Sequence, residues 1–324
     1  MVDDKMPRVT LLDATRGVAI LGVALYHLVW DLRFFEFTSY DSFWDPVWLG
    51  FAKVLVSTFL TLVGVSLALA HRQGVQWRPF WRRFGILAAA AAGVSIATWF
   101  LFQNGFVYFG VLHAIALFSI AGVFFLRMPV WVVIVAAGVF LFAHFFYQSS
   151  DFNVRYLSWI GFWTEHPYTQ DLVPIFPGFG FTLAGIAGTR IALRRGWIDK
   201  LARIDFRGAW YRALLWCGRW SLIIYLVHQP LLLSVLYPAD LLLHPKVEQT
   251  SSVAFFDQCT VTCEANGNGV NYCQSYCGCA LDMVERADLW RSIEALDPTR
   301  EQQADRDAVI DLCTATAGDP SSYD

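Results

Sequence analysis

The chain has 324 residues, of which 56% are hydrophobic and only 16% are charged, and its mean hydropathy is +0.45. Soluble globular domains do not have this composition, so the sequence excludes that class and predicts a protein of the lipid bilayer. The formal net charge is only −3, although the two parts of the chain carry charges of opposite sign.

Seven apolar segments of about 18 to 25 residues recur with short polar breaks, and each is long enough to cross about 30 Å of hydrocarbon as a helix. They cover residues 11–33, 47–70, 84–102, 107–126, 129–147, 172–193 and 214–238. A shorter aromatic stretch at 152–163, interrupted by Arg155, is expected to lie at the membrane interface. The predicted fold class is therefore all-α, a polytopic transmembrane bundle of about seven helices.

The basic residues of the polar breaks alternate in a way that predicts the orientation of the bundle. They lie before the first segment, at 71–83, at Arg127 and at 190–212, and all of these breaks fall on one side of the membrane. The opposite breaks carry mostly acidic and aromatic residues. The positive-inside rule then puts the N-terminus in the cytoplasm and, after seven crossings, the C-terminus outside.

The first segment carries four ionisable side chains, Asp13, Arg16, His27 and Asp31. At about 100° per residue they fall within roughly 60° of one another, which makes a polar stripe on an apolar helix. Ionisable residues inside a membrane segment are rare and usually functional. Alternatively, the residues near the two ends simply reach the interfaces, which leaves only His27 unexplained.

The positions along this stripe suggest particular chemistry. A neutral His27 costs little to bury in the membrane, and its imidazole can accept or donate a proton. Asp31, one turn away, could fix which ring nitrogen carries the proton. Arg16 is about 16 Å nearer the cytoplasm, which suits an anion that enters from that side.

Other histidines lie within the apolar segments. His228 shares one face of the last segment with Ser221 and Tyr225, and either a functional or a structural role is open for it. The same holds for His113, in the outer third of the fourth segment. His144 is expected to bond a backbone carbonyl between packed helices.

Composition changes near Pro245, and we predict two domains there, a transmembrane domain at 1–244 and a soluble tail at 245–324. The tail has a net charge near −9 and the rest near +6. It contains neither a phosphate-binding loop nor a basic aromatic face, so nucleic acid is not an expected partner.

The tail contains six of the seven cysteines, in close pairs that are typical of either disulfides or zinc ligands. A helical hairpin with bridges from Cys259 to Cys277 and from Cys263 to Cys273 is sterically reasonable, although other pairings remain open. An oxidising exterior favours disulfides over zinc, so we expect a disulfide-stapled helical tail and no metal. The candidate disulfide cysteines are Cys259, Cys263, Cys273, Cys277, Cys279 and Cys313.

Four motifs, in order, carry a resemblance to a known family. They are an arginine-glycine pair followed by a buried Tyr-His, FGVLHAIAL, DLVPIFPGFGFTLAGIAG and GRWSLIIYLVHQPLL. Together they resemble the bacterial relatives of heparan-α-glucosaminide N-acetyltransferase, over about residues 8–237. The spacing of Arg16 and His27 also resembles that of membrane acyltransferases that acylate envelope sugars.

The resemblance implies an activity, a location and roles for particular residues. An acyl group, typically acetyl, would pass from cytoplasmic acyl-CoA through the bundle to an amine or hydroxyl of an envelope saccharide. The location implied is the bacterial inner membrane, where the orientation predicted from the basic residues would put the tail in the periplasm. Arg16 and His27 are the positions that match the family motif. Asp31 and His228 complete the catalytic candidates because of their places on the helices. The candidates for holding the acyl-CoA are Arg16, Arg72, Arg82 and His113, with Arg78 and Arg83 nearby.

The resemblance also bears on the chemical route. A human member of the family has a further histidine in the loop after its first helix, whereas this chain has none between residues 34 and 50. General-base catalysis by His27 is therefore favoured over a covalent acyl-histidine.

Two other classes of function remain as alternatives. One is a non-catalytic membrane subunit that docks an extracytoplasmic protein through its disulfide tail. The other is a b-type haem or transport protein that uses His27, His113, His144 and His228 as ligands or relays. The acyltransferase hypothesis itself predicts neither haem nor a metal.

Overall fold

The computed structural model describes residues 9–35, 37–38, 40, 45–102, 105–204, 206, 208–243, 248–295 and 298–318. Within these ranges the chain is helical, and its extended pairing is limited to one isolated bridge between Phe109 and Leu172. The predicted all-α class is therefore confirmed.

The helices follow the chain in this order: α1 Thr10–Phe34, α2 Pro46–Ala70, α3 Trp77–Leu101, α4 Val111–Phe125, α5 Val130–Phe146, α6 Arg155–Ser158, α7 Ile175–Arg194, α8 Trp197–Ala202, α9 Ala209–Arg219, α10 Ser221–Leu243, α11 Glu248–Ala265, α12 Val270–Arg286, α13 Trp290–Glu294 and α14 Arg300–Ala317. A single 3-10 turn, Ser150–Asn153, precedes α6.

Every predicted apolar segment contains an apolar helix, and the protein is a multi-pass membrane protein. Five helices in the described ranges are long and apolar enough to span a bilayer, namely α1, α2, α3, α7 and α10. Two more apolar helices, α4 and α5, have 15 and 17 residues. The aromatic stretch at 152–163 contains only short turns.

Two predicted boundaries were wrong. The third helix begins at Trp77, not near 84, so that several arginines expected in a loop belong to its first turns. The last segment was predicted as one helix from 214 to 238, but α9 ends at Arg219 and α10 begins at Ser221. A side chain at Gly218 would collide with the carbonyl of Asp13, so α9 packs at very close range on α1.

The core of the membrane unit depends on close contact between α2 and α7. A Cβ at Gly64 would collide with the carbonyl of Thr182, and one at Gly185 would collide with the carbonyl of Thr61. The Thr182 hydroxyl donates to the Leu60 carbonyl at 3.0 Å. Small residues permit this approach where lipid provides no hydrophobic drive for helix association. Phe176 has non-helical dihedrals and kinks α7 near its start.

The chain divides into two compact units, one of residues 1–31 and 41–238, the other of residues 32–40 and 239–324. The second contains three disulfides. The first two are the bridges that the cysteine spacing made sterically reasonable, and the third joins α12 to α14. Because all six cysteines are paired, none is left as a thiolate ligand for zinc. The bridges are Cys259–Cys277, Cys263–Cys273 and Cys279–Cys313.

Candidate functional site

Two histidines from distant parts of the chain meet inside the membrane unit. The ring of His27 on α1 lies against that of His228 on α10, with centroids 4.9 Å apart and planes inclined at 56°. Rings in direct contact leave no room for a porphyrin between them, so this pair does not form a bis-histidine haem site. The contact instead places two proton-exchanging groups side by side.

The hydrogen bonding of His228 determines its tautomer. Its Nδ1 lies 2.6 Å from the carbonyl oxygen of Tyr225, and a carbonyl can only accept a hydrogen bond. Nδ1 therefore carries the proton, and Nε2 carries the lone pair. That Nε2 is buried and has no hydrogen-bond partner within the described part of the chain. A neutral imidazole in this state can act as a base.

Asp31 bridges the same two helices. Its Oδ1 accepts a hydrogen bond of 2.8 Å from Nε2 of Gln229, the residue that follows His228. The helical spacing suggested that Asp31 would orient His27, whereas in the structure it ties α1 to α10. The Asp31 side chain is fully buried, and its second oxygen and Oε1 of Gln229 lack partners among the described residues.

These three unpartnered atoms have one property in common. Oδ2 of Asp31, Oε1 of Gln229 and Nε2 of His228 are all hydrogen-bond acceptors. A buried acceptor without a donor carries the full cost of its desolvation. The arrangement therefore suits a ligand that is rich in N–H or O–H groups.

Sequence reasoning missed a fourth group, the carboxylate of Asp171. It accepts a hydrogen bond of 2.8 Å from the Val111 amide at the start of α4 and a second one from the Tyr225 hydroxyl. Burial raises the pKa of Asp171 to about 6, against the lowering effect of these two bonds. The ring of Tyr225 in turn packs on that of His228, with centroids 5.6 Å apart.

The other end of α1 holds Arg16. Its guanidinium donates to Asp13 at 3.1 Å and to the Ser66 hydroxyl on α2. The guanidinium of Arg83 on α3 is within electrostatic range of both Arg16 and His71. Two like charges held near each other are typical of a site that an anion can occupy.

With this geometry established, the chain matches the protein-family model described as "Heparan-alpha-glucosaminide N-acetyltransferase, catalytic" over residues 8–230. The chain belongs to this family. The family consists of membrane acyltransferases that use acetyl-CoA as donor, and the match confirms the resemblance inferred from the motifs. Comparisons with curated proteins and with solved structures gave no match.

The region matched to the acetyltransferase family includes every polar residue of the α1–α10 site and ends before the cysteine-rich tail. Arg83 is within electrostatic range of Arg16, and it is an exposed residue, as are the predicted partners Arg72 and Arg82. Across the described part of the chain, no group of three or more His, Cys, Asp or Glu side chains could hold a metal ion.

The other two candidate histidines, His113 and His144, bond to neighbouring parts of the fold. His113 accepts the Gly110 amide at Nδ1, and its Nε2 lies 3.1 Å from the Ser95 hydroxyl. Because Ser95 is near the C-terminal end of α3, the structure places His113 at the opposite end of that helix from Arg82. Nδ1 of His144 bonds the Gly161 carbonyl at 2.5 Å, the kind of contact expected for it.

Proposed function

We propose that this protein transfers an acyl group, most simply acetyl, from cytoplasmic acyl-CoA to a primary amine of an envelope saccharide on the far side of the membrane. The observation that carries the proposal is the contact of His27 with His228 beside three unpartnered buried acceptors. In this proposal the chain lies in the bacterial inner membrane, with its N-terminus in the cytoplasm and its tail in the periplasm, as the distribution of basic residues predicts.

The unpartnered acceptors support an amine over a hydroxyl as the nucleophile. A primary ammonium group has three N–H donors and a positive charge, whereas a hydroxyl has one donor and no charge. The Asp31 carboxylate would pair with that charge, and charge-assisted hydrogen bonds are roughly twice as strong as neutral ones. Gln229 and His228 would accept the other two donors.

The reaction requires the amine to lose protons before and after it attacks. A free lone pair forms first, when an ammonium proton passes to the histidine pair. The nitrogen then attacks the thioester carbonyl and gives its second proton to the other histidine of the pair, and the carbon–sulfur bond breaks. The thiolate takes one of the two protons held by the histidines, and the other leaves to water. The products are an amide and CoA. The family motif marks His27, and the tautomer of His228 supplies a lone pair next to it.

The arginine pair is the proposed site for the phosphates of acyl-CoA. Arg16 and Arg83 would both bind phosphate oxygens, which removes the repulsion between their charges. Arg16 and His27 are eleven residues apart, about 16 Å along the helix, a distance that the pantetheine arm could follow between the helices.

The test measures transfer by purified protein in liposomes, with acetyl-CoA as donor and D-glucosamine or D-glucose as acceptor. We expect an N-acetylated product from glucosamine and none from glucose. His27→Gln and His228→Gln should each lower the rate about 100-fold or more, because general-base catalysis contributes about this much. His144→Gln, which removes a histidine bonded only within the fold, is the matched control.

If neither acetyl-CoA nor longer acyl-CoA thioesters release CoA in the presence of glucosamine, the enzyme proposal fails. The alternative would then be a non-catalytic membrane subunit that docks an extracytoplasmic protein through its disulfide tail.

A further inference from the structure

Asp171 joins three elements of the membrane unit. It belongs to the segment before α7, it accepts the Val111 amide at the N-terminus of α4, and it accepts the Tyr225 hydroxyl from α10. A carboxylate at a helix N-terminus is favourable because it satisfies an amide that has no partner within the helix. Gly110 permits this approach, since a Cβ there would collide with Oδ2 of Asp171.

Tyr225 connects this carboxylate to the histidine pair. Its hydroxyl is held by Asp171, its carbonyl oxygen accepts Nδ1–H of His228 at 2.6 Å, and its ring packs on the imidazole of His228. A shift of Tyr225 would therefore move both the group that fixes the tautomer of His228 and the surface on which the imidazole rests.

We propose that Asp171 is a positioning residue for acyl transfer, which holds Tyr225 so that His228 keeps Nε2 as its free acceptor beside His27. This inference rests on the proposed function for its catalytic consequence, but the effect on His228 is a property of the fold. Misplacing a catalytic group by about 1 Å can lower a rate about 100-fold, so a residue that acts only through Tyr225 can have a large effect.

The carboxylate should act in its ionised form, because it accepts two hydrogen bonds and a protonated acid would present an O–H to one of the donors. The titratable groups that interact with it are Tyr26 on α1 and Tyr225 on α10. His113 on α4 accepts the amide of Gly110, the residue next to the Asp171 carboxylate. Burial raises the pKa of Asp171 to about 6, so this arrangement should weaken as the pH falls through that value.

Protonation of Asp171 should not unfold the protein. A carboxyl whose pKa is higher in the folded state than in the unfolded chain binds its proton more tightly when folded, so its own contribution favours folding at low pH. Loss of positioning should therefore appear in the rate of transfer and in the state of His228, and not as a fall in thermal stability.

The experiment compares Asp171→Asn, Tyr225→Phe and a control, Thr169→Val, in the full-length protein. Thr169 lies in the same segment and donates to the Phe106 carbonyl at 2.8 Å. One measurement is the pH dependence of glucosamine acetylation. The other is the nitrogen-15 spectrum of histidine-labelled protein, in which the signal of His228 reports its tautomer.

We expect Asp171→Asn and Tyr225→Phe to lower kcat by about 10- to 100-fold. The KM for acetyl-CoA should change little, and His228 should become a mixture of tautomers. The asparagine variant should also lose the component of the pH profile near 6, whereas Thr169→Val should behave like wild type.

A wild-type rate and a wild-type His228 signal in Asp171→Asn would overturn the proposal. If the wild-type protein transfers no acyl group, the proposed function fails, but the spectra still decide the positioning role. A changed His228 signal in both variants supports it, and an unchanged signal overturns it.

Discussion

The two ends of the polar stripe on α1 are alike in sequence and opposite in structure. At the N-terminal end, Asp13 is 4% exposed and accepts the guanidinium of Arg16, which also bonds the Ser66 hydroxyl. At the C-terminal end, Asp31 is 0% exposed and accepts one bond from the neutral amide of Gln229. Its second oxygen has no partner in the described part of the chain.

This difference shows that burial of a carboxylate does not by itself indicate function. Asp13 has a cation beside it, so its charge is balanced within the protein. Asp31 has only an amide, so balance requires something that the fold does not provide in the described residues. Asp13 and Asp31 are equivalent positions on α1. Their partners in the folded chain determine which of the two can bind a charged group from outside.

The largest expected effect comes from removing the charge at each end in turn. Asp31→Asn should lower kcat/KM for glucosamine about 10- to 100-fold, because the loss of a charge-assisted bond costs about 1.5 to 3 kcal/mol. Asp13→Asn should change it less than about threefold, because Arg16 keeps its bond to Ser66. The measurement is the steady-state kinetics of both variants. Equal effects of the two changes on kcat/KM would contradict the difference between Asp31 and Asp13.

A smaller effect is expected at the N-terminal end, on the donor. Arg16→Gln and Arg83→Gln should each raise the KM for acetyl-CoA about tenfold and leave kcat for bound substrates nearly unchanged, because each removes one charged contact to phosphate. Arg190→Gln is the control, since Arg190 donates to the Met128 carbonyl at 2.6 Å. If the control raises this KM as much, general positive charge and not the Arg16–Arg83 pair binds the donor.

The smallest effect concerns His71, in the connection between α2 and α3. Burial and then the nearby Arg83 lower its pKa, and its neutral Nδ1 accepts the Gln76 amide at 3.2 Å. A base with a lowered pKa stabilises the fold above its unfolded pKa and loses that contribution as the pH falls through about 6.5 and below. Corrected for intrinsic rates, hydrogen exchange at Gln76 should accelerate on acidification. Arg83→Gln should move this transition to higher pH. An unchanged transition would show that Arg83 does not lower the pKa of His71.

Much of the fold could be predicted from the sequence, because its signals are local. Apolar segments of the length of a bilayer contained apolar helices, and cysteines four residues apart on predicted helices suggested two of the bridges. The break between α9 and α10 was missed because it has no proline or charge cluster to mark it. Next to the break, Gly218 packs closely on α1, a contact that only the folded chain shows.

The site was predicted only in part, because the sequence shows local spacing and not the contacts between helices. His27 and His228 were both candidates, but helical periodicity could not say that they face each other. Asp171 begins one of the four family motifs and its partner Val111 lies in another, but the two are 60 residues apart and nothing in the spacing links them. Asp31 was assigned to His27 on the basis of one helical turn, whereas a donor on another helix, Gln229, binds it.

The disulfides keep the tail covalently connected even where a peptide bond inside one of their rings is cut. The connection between α11 and α12 lies inside the ring closed by Cys263–Cys273, and that between α13 and α14 lies inside the ring closed by Cys279–Cys313. A protease that cuts either connection therefore opens a ring and releases no fragment. Shedding at these sites would require reduction as well as cleavage.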